Sequence, residues 1–130
     1  MEIVDHIYYG FGKIVLAAIT VDGVVSKSEI ESLKKHIEKE RKNPAVNLTL
    51  VEIVLKDYQK YHRESSVELL KTGLHEFHLG DAHLTSEMAS AFRSIMVDVV
   101  SAEHPITKEE EDLVREFISY LNEREKAAKS

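Results

Sequence analysis

Cysteine is absent from these 130 residues. Without a thiol, disulfide frameworks, zinc thiolates, iron–sulfur clusters and thiol nucleophiles are all excluded. The lack also suits a reducing compartment, so a soluble, cytoplasmic protein is expected. Most lipid anchors go with it, since all common ones except myristoylation need Cys, and residue 2 is Glu. Glycine and proline are scarce, with 5 and 2 copies, and no segment alternates cleanly at period two. Strands are therefore not expected, and helices are. Basic charge is in deficit: 17 Lys and Arg stand against 23 Asp and Glu, for a formal charge of −6. That argues against a basic groove for nucleic acid and against docking on an anionic lipid surface. Long apolar runs are missing too. The longest, Ile14 to Ile19, falls far short of the roughly 20 residues a spanning helix needs. The first residues, Met1-Glu2-Ile3-Val4-Asp5-His6, carry acids where a secretory leader carries Lys or Arg. Neither a leader nor membrane insertion is expected.

What is present is globular. A content of 43% hydrophobic and 31% charged residues is neither that of a disordered chain nor that of a membrane-embedded one. The length suits a single domain over 1–130. Six segments read as helices. The first runs from Glu2 to Val21, with Ile3, Ile7, Phe11, Ile14, Val15 and Ala18 on one stripe. Gly10 and Gly12 inside it each cost about 1 kcal/mol against Ala, which points to close packing or a bend. The second starts at Ser26, buries Ile30, Leu33 and Ile37, and ends near Asn43-Pro44. The third starts near Thr49, with Leu50, Ile53, Val54, Tyr58 and Tyr61 as its stripe. The fourth starts at Ser65 or Ser66, faces inward through Val67, Leu70, Leu74 and Phe77, and stops at Leu79-Gly80-Asp81. The fifth starts at Thr85 or Ser86 and buries Met88, Phe92, Ile95, Met96 and Val99. The sixth starts at Thr107 and buries Leu113, Val114, Phe117 and Leu121. Residues 126–130, charged and small, are expected to fray.

Two of the helix junctions echo each other. Asp22-Gly23-Val24-Val25-Ser26-Lys27-Ser28-Glu29 precedes the second helix, and Glu103-His104-Pro105-Ile106-Thr107-Lys108-Glu109-Glu110 precedes the sixth. The offset from 22 to 103 is the same as from 26 to 107 and from 29 to 110. Each motif has an acid, a β-branched residue three positions on, a hydroxyl cap and a capping glutamate. The plain reading is a helix stop followed by a helix start, with no ligand. The sharper one is that helices one–two and five–six are two copies of one hairpin, packed antiparallel. Asp22, Glu29, Glu103 and Glu110 would then gather as a carboxylate cluster. Crowded carboxylates relieve their repulsion by raising a pKa or binding a cation. An oxygen-only set selects Ca²⁺ or Mg²⁺, with Zn²⁺ a poorer match. Neither motif is an EF-hand, because the twelfth position from Asp22 is Leu33 and the third is Val24.

The stretch from Leu16-Ala17-Ala18-Ile19-Thr20-Val21-Asp22-Gly23 through Ser26 and Glu29 to Ile30 resembles the first motif of the TerB-like domains of tellurite-resistance proteins and their relatives. The Glu103–Glu110 motif resembles the second copy. The resemblance implies an all-α, two-halved domain over nearly the whole chain. It also implies an acidic, divalent-metal-binding module in bacterial stress biology, and it does not imply an enzyme. Two departures stand out: Glu103 replaces Asp, and His104 replaces Gly. A β-carbon disfavours a left-handed turn, so the second loop is expected to differ in shape.

A second set lies in His75-Glu76-Phe77-His78-Leu79-Gly80-Asp81-Ala82-His83. His75 and His78 share a helical face, and Asp81 or His83 could fold back to meet them. Imidazoles with a carboxylate suit Zn²⁺ or Ni²⁺, and this set is the alternative metal site, serving a small metal-dependent hydrolase. No zincin motif is present, and the plainer reading is ordinary histidines at a helix C-terminus. No nucleophile elbow, phosphate loop or dinucleotide fingerprint exists, so no catalytic residue is assigned. The expectation is a helical binding module whose acidic surface takes a divalent cation, a protein partner or both. A ligand-free oligomerisation module, forming a homodimer through its aromatic first helix, is the remaining alternative.

Overall fold

An apolar stripe too broad for a single face dictates where the first helix goes. In the computed structural model, which describes residues 2–21, 27–61, 64–101 and 106–129, helix α1 (Ile3–Thr20) runs through the middle of the molecule. From Ile7 to Ile19 only Tyr9 and Lys13 reach the surface in part. Its start is fixed by a reciprocal cap, with the Glu2 amide donating to Asp5 Oδ2 at 3.0 Å. Read over its whole length rather than by its longest unbroken run, α1 is long and apolar enough to cross a membrane. Here that apolar surface is spent on the other helices.

Five more helices surround it: α2 (Lys27–Glu40), α3 (Thr49–Tyr61), α4 (Ser66–Gly80), α5 (Ser86–Val100) and α6 (Lys108–Lys129). No strand occurs among the described residues. The fold is a single-domain all-α bundle. The hydroxyl caps anticipated from the sequence are formed at Ser65, Thr85 and Thr107, whose side-chain oxygens accept the amides of Glu68, Met88 and Glu110. α1 packs most extensively against α4, then α3, and also touches α5 and α6. α2 leans on α5, and α6 on α5 and on the corner after α4.

The α1–α4 pair is antiparallel, because Ile3 lies by Gly80 and Gly10 by Gly73. Glycines make this approach possible. A β-carbon on Gly10 would come within 2.5 Å of both the Gly73 carbonyl oxygen and the Phe77 nitrogen. One on Gly80 would come within 2.5 Å of the Ile3 carbonyl oxygen. Gly80 is right-handed at φ −115°, so α4 does not end on a left-handed glycine. It passes straight into a 3₁₀ turn, Asp81–His83. On the other side of α1, Gly12 receives Val54 of α3, whose Cβ would lie 3.1 Å from an added methyl.

The four phenylalanines of the chain meet at the centre, one each from α1, α4, α5 and α6. Phe11 stacks on Phe92 with centroids 4.2 Å apart, and Phe77 meets Phe117 edge-on at 5.8 Å. Such pairs add about 0.5–1.5 kcal/mol beyond their area and fix the rotation of each helix. Two inward faces differ from the sequence reading. α4 buries Leu69, Gly73 and Phe77, leaving Leu70 and Leu74 half-buried and Val67 exposed. α3 buries Val51, Val54 and Leu55, while Ile53 and Tyr61 face outward.

Candidate functional site

Only four polar side chains are buried among the described residues: Glu29, His36, Asp81 and Glu110. Two of them are the capping glutamates of the repeated motif. Glu29 stands in the first turn of α2 with 1% of its surface exposed, and Glu110 in the first turn of α6 with none. A surface helix normally leaves this residue in water. Enclosing a carboxylate costs several kcal/mol unless donors compensate. At Glu110 the compensation is partly visible. Oε1 accepts the Thr107 amide at 3.3 Å and the Thr107 hydroxyl at 3.1 Å, while the Glu110 amide donates to Thr107 Oγ1 at 3.2 Å. The positive end of each helix favours the charge further. Asp22, Ser26, Glu103 and His104 lie outside the described residues, so the first cap and the outer acids of both turns are not placed.

The histidine set is placed in full. His75 and His78 are exposed on α4 and line one groove with Leu70, Leu74, Phe117 and Tyr120, of about 290 Å³. His83 is exposed on the 3₁₀ turn. Asp81 is different. It is buried, and its Oδ2 accepts His78 Nδ1 at 2.9 Å and the Tyr120 hydroxyl at 3.0 Å, with Arg124 Nε at 3.1 Å. Three helical segments are thus tied to one oxygen, which leaves Asp81 a structural anchor. Among the described residues no three His, Asp or Glu side chains are arranged to hold a metal ion.

Burial and the hydrogen bond to Asp81 push the Tyr120 phenol well above its ordinary value of 10.0, with Arg124 pulling weakly the other way. Burial also raises Tyr8 and Tyr58. The folded state therefore keeps phenolic protons that the unfolded chain gives up. The stability this supplies is complete below pH 10 and drains away as pH rises toward the folded-state values. In urea melts at about pH 8 and about pH 11, the parent should lose more stability than Tyr120→Phe does. Equal losses in the two proteins would remove Tyr120 from this account.

His36 was not apparent from the sequence as a site residue. It is 7% exposed, with Nε2 3.1 Å from Ser94 Oγ and Nδ1 3.2 Å from Asp98 Oδ2, so it joins α2 to α5. The available signal was its spacing: Leu33, His36 and Ile37 fall on one face. His6, 2.5 Å from Glu76, similarly joins α1 to α4, and no spacing announces it. No protein-family model, curated protein or solved structure matches the chain.

Proposed function

We propose that this chain is a non-enzymatic helical module, similar to the TerB-like domains, that binds a divalent cation through the acids of its two repeated turns. Glu29 and Glu110 are the inner ligands, and Asp22 and Glu103 are the outer ones. One observation carries the reading. The two glutamates at equivalent places in the repeat are both buried, whereas a residue that merely caps a helix gains nothing from burial. Enclosed carboxylates at both turns supply hard oxygen donors for Ca²⁺ or Mg²⁺. The net charge of −6 suits a basic protein partner as well. The resemblance points to bacterial stress responses of the tellurite-resistance type as the setting. The hydrolase reading draws less support, because Asp81, the carboxylate assigned to its metal, is committed to Tyr120 and Arg124.

Titration calorimetry with Ca²⁺, Mg²⁺ and Zn²⁺ tests this. One of the hard cations should bind more tightly than millimolar. At a concentration of 100 times Kd it should stabilise the fold by about 2.7 kcal/mol. Glu29→Gln and Glu110→Gln should each remove that gain while keeping the helical circular dichroism of the parent. If no cation binds below the millimolar range, the metal reading is finished and only partner binding by the acidic surface is left.

A further inference from the structure

A different face of the bundle, where α1, α3 and α4 meet, holds a pocket of about 230 Å³ over an aliphatic floor. Glu29 and Glu110 do not line it, so it stands apart from the cation reading above. One ammonium group already sits there. Lys13 Nζ lies 5.2 Å from the centroid of the Tyr9 ring and 3.0 and 3.3 Å from the two Glu64 oxygens. Thr72 Oγ1 bridges the pair, 3.3 Å from Lys13 Nζ and 3.1 Å from Glu64 Oε2. Lys13 is only 13% exposed, so this cation is held largely out of water by an electron-rich ring face and a carboxylate.

The α3 side of the pocket offers the same two ingredients again. Tyr58 and Tyr61 line it, and so does Asp57, one helical turn before Tyr61. The Tyr61 ring carries an ammonium too, with Lys60 Nζ 5.2 Å from its centroid. Asp57 makes no ion pair among the described residues. Among the residues that line the pocket Lys13 and Glu64 cancel and Asp57 leaves one negative charge, with Lys60 outside the lining, against Tyr61, so an anion finds no unpaired cation in the lining. A metal ion is disfavoured as well, since no three ligating side chains are grouped among the described residues. The volume lies below the roughly 300–1,000 Å³ of drug-sized sites, which suits a head group rather than a large molecule.

We propose that this pocket binds a small organic cation, an alkylated or quaternary ammonium group, with Asp57 as its counter-ion and the Tyr58 and Tyr61 rings as its walls. The group belongs either to a free amine or to a lysine side chain. Both present the same chemistry.

Amide NMR on the full chain, titrated with three probes, decides the matter. The probes are choline, N-acetyl-lysine methylamide and the neutral carbon isostere of choline. Both cations should shift amides of α1 and α3 around the pocket and saturate in the millimolar range. The isostere should bind at least about tenfold more weakly, because cation–π and ionic attraction are missing. Asp57 is exposed, so Asp57→Asn should keep the fold. It should weaken both cations by about tenfold and leave the isostere unchanged. Stronger binding of choline identifies a free amine as the source, and stronger binding of the lysine derivative identifies a side chain. Either supports the site. Failure of both cations to saturate, equal binding of the isostere, or an undiminished Asp57→Asn variant overturns it.

Discussion

Gly73→Ala should lower the stability of this protein by about 3 kcal/mol and its Tm by about 10 °C. Helix propensity alone gives the opposite sign, since Ala in a helix interior is favoured over Gly by about 1 kcal/mol. The local geometry reverses it. An added β-carbon at Gly73 would stand 2.9 Å from the Gly10 carbonyl oxygen and 3.1 Å from the Ile14 nitrogen. Both are backbone atoms inside a helix, and neither can rotate away. α1 and α4 must separate, and that opens the interface on which α1 relies most. Gly10→Ala should cost at least as much, with two backbone atoms at 2.5 Å. Gly12→Ala provides the contrast, because its nearest neighbours are Val54 carbons at 3.1 and 3.3 Å and a small shift suffices. Chemical denaturation of the three variants is the measurement. A stabilised Gly73→Ala protein would show that α1 and α4 are not in this close contact.

Asp81→Ala has the second largest expected effect, a loss of about 2–3 kcal/mol. The carboxylate is buried, and Tyr120, His78 and Arg124 converge on one of its oxygens. Removing it strands a half-buried phenol. Arg124, with about a third of its side chain exposed at 36%, can turn to water, which brings the figure below the roughly 3–5 kcal/mol of fully buried pairs. Asp81→Asn should cost about half as much, because its carbonyl still accepts the Tyr120 hydroxyl. Equilibrium unfolding of both variants gives the comparison. A change within about 0.5 kcal/mol for Asp81→Ala, the range of ordinary surface substitutions, would mean that α6 is anchored elsewhere.

The helix starts were legible because their signals are local. Ser65, Thr85 and Thr107 each cap within three residues, and no distant contact is needed to see it. The inward faces of α3 and α4 were less legible, for a common reason. Gly73 and Gly80 add nothing to an apolar count, yet they mark the face where the backbones approach most closely. Likewise Val51 and Val54 of α3 turn inward because Gly12 of α1 leaves room for them, and no periodicity within α3 reports a hollow on another helix. The candidate site divides in the same way. Glu29 and Glu110 can be read from sequence as caps, but their burial cannot, because it is a property of the folded chain. The role of Asp81 depends on Tyr120 and Arg124, 39 and more residues away, which only the folded chain brings to it.

α2 is held chiefly from one side, by α5, with His36 as its polar link to Ser94 and Asp98. Elements attached in this manner open before the rest of a domain does. Glu29 rides on α2, so in the proposed reading the cation's preferred form is the one in which α2 is shut. Loading would then register as quieter breathing of a single helix, with the average shape of the bundle unchanged, and a partner sensitive to that stiffness could read the ion without touching it.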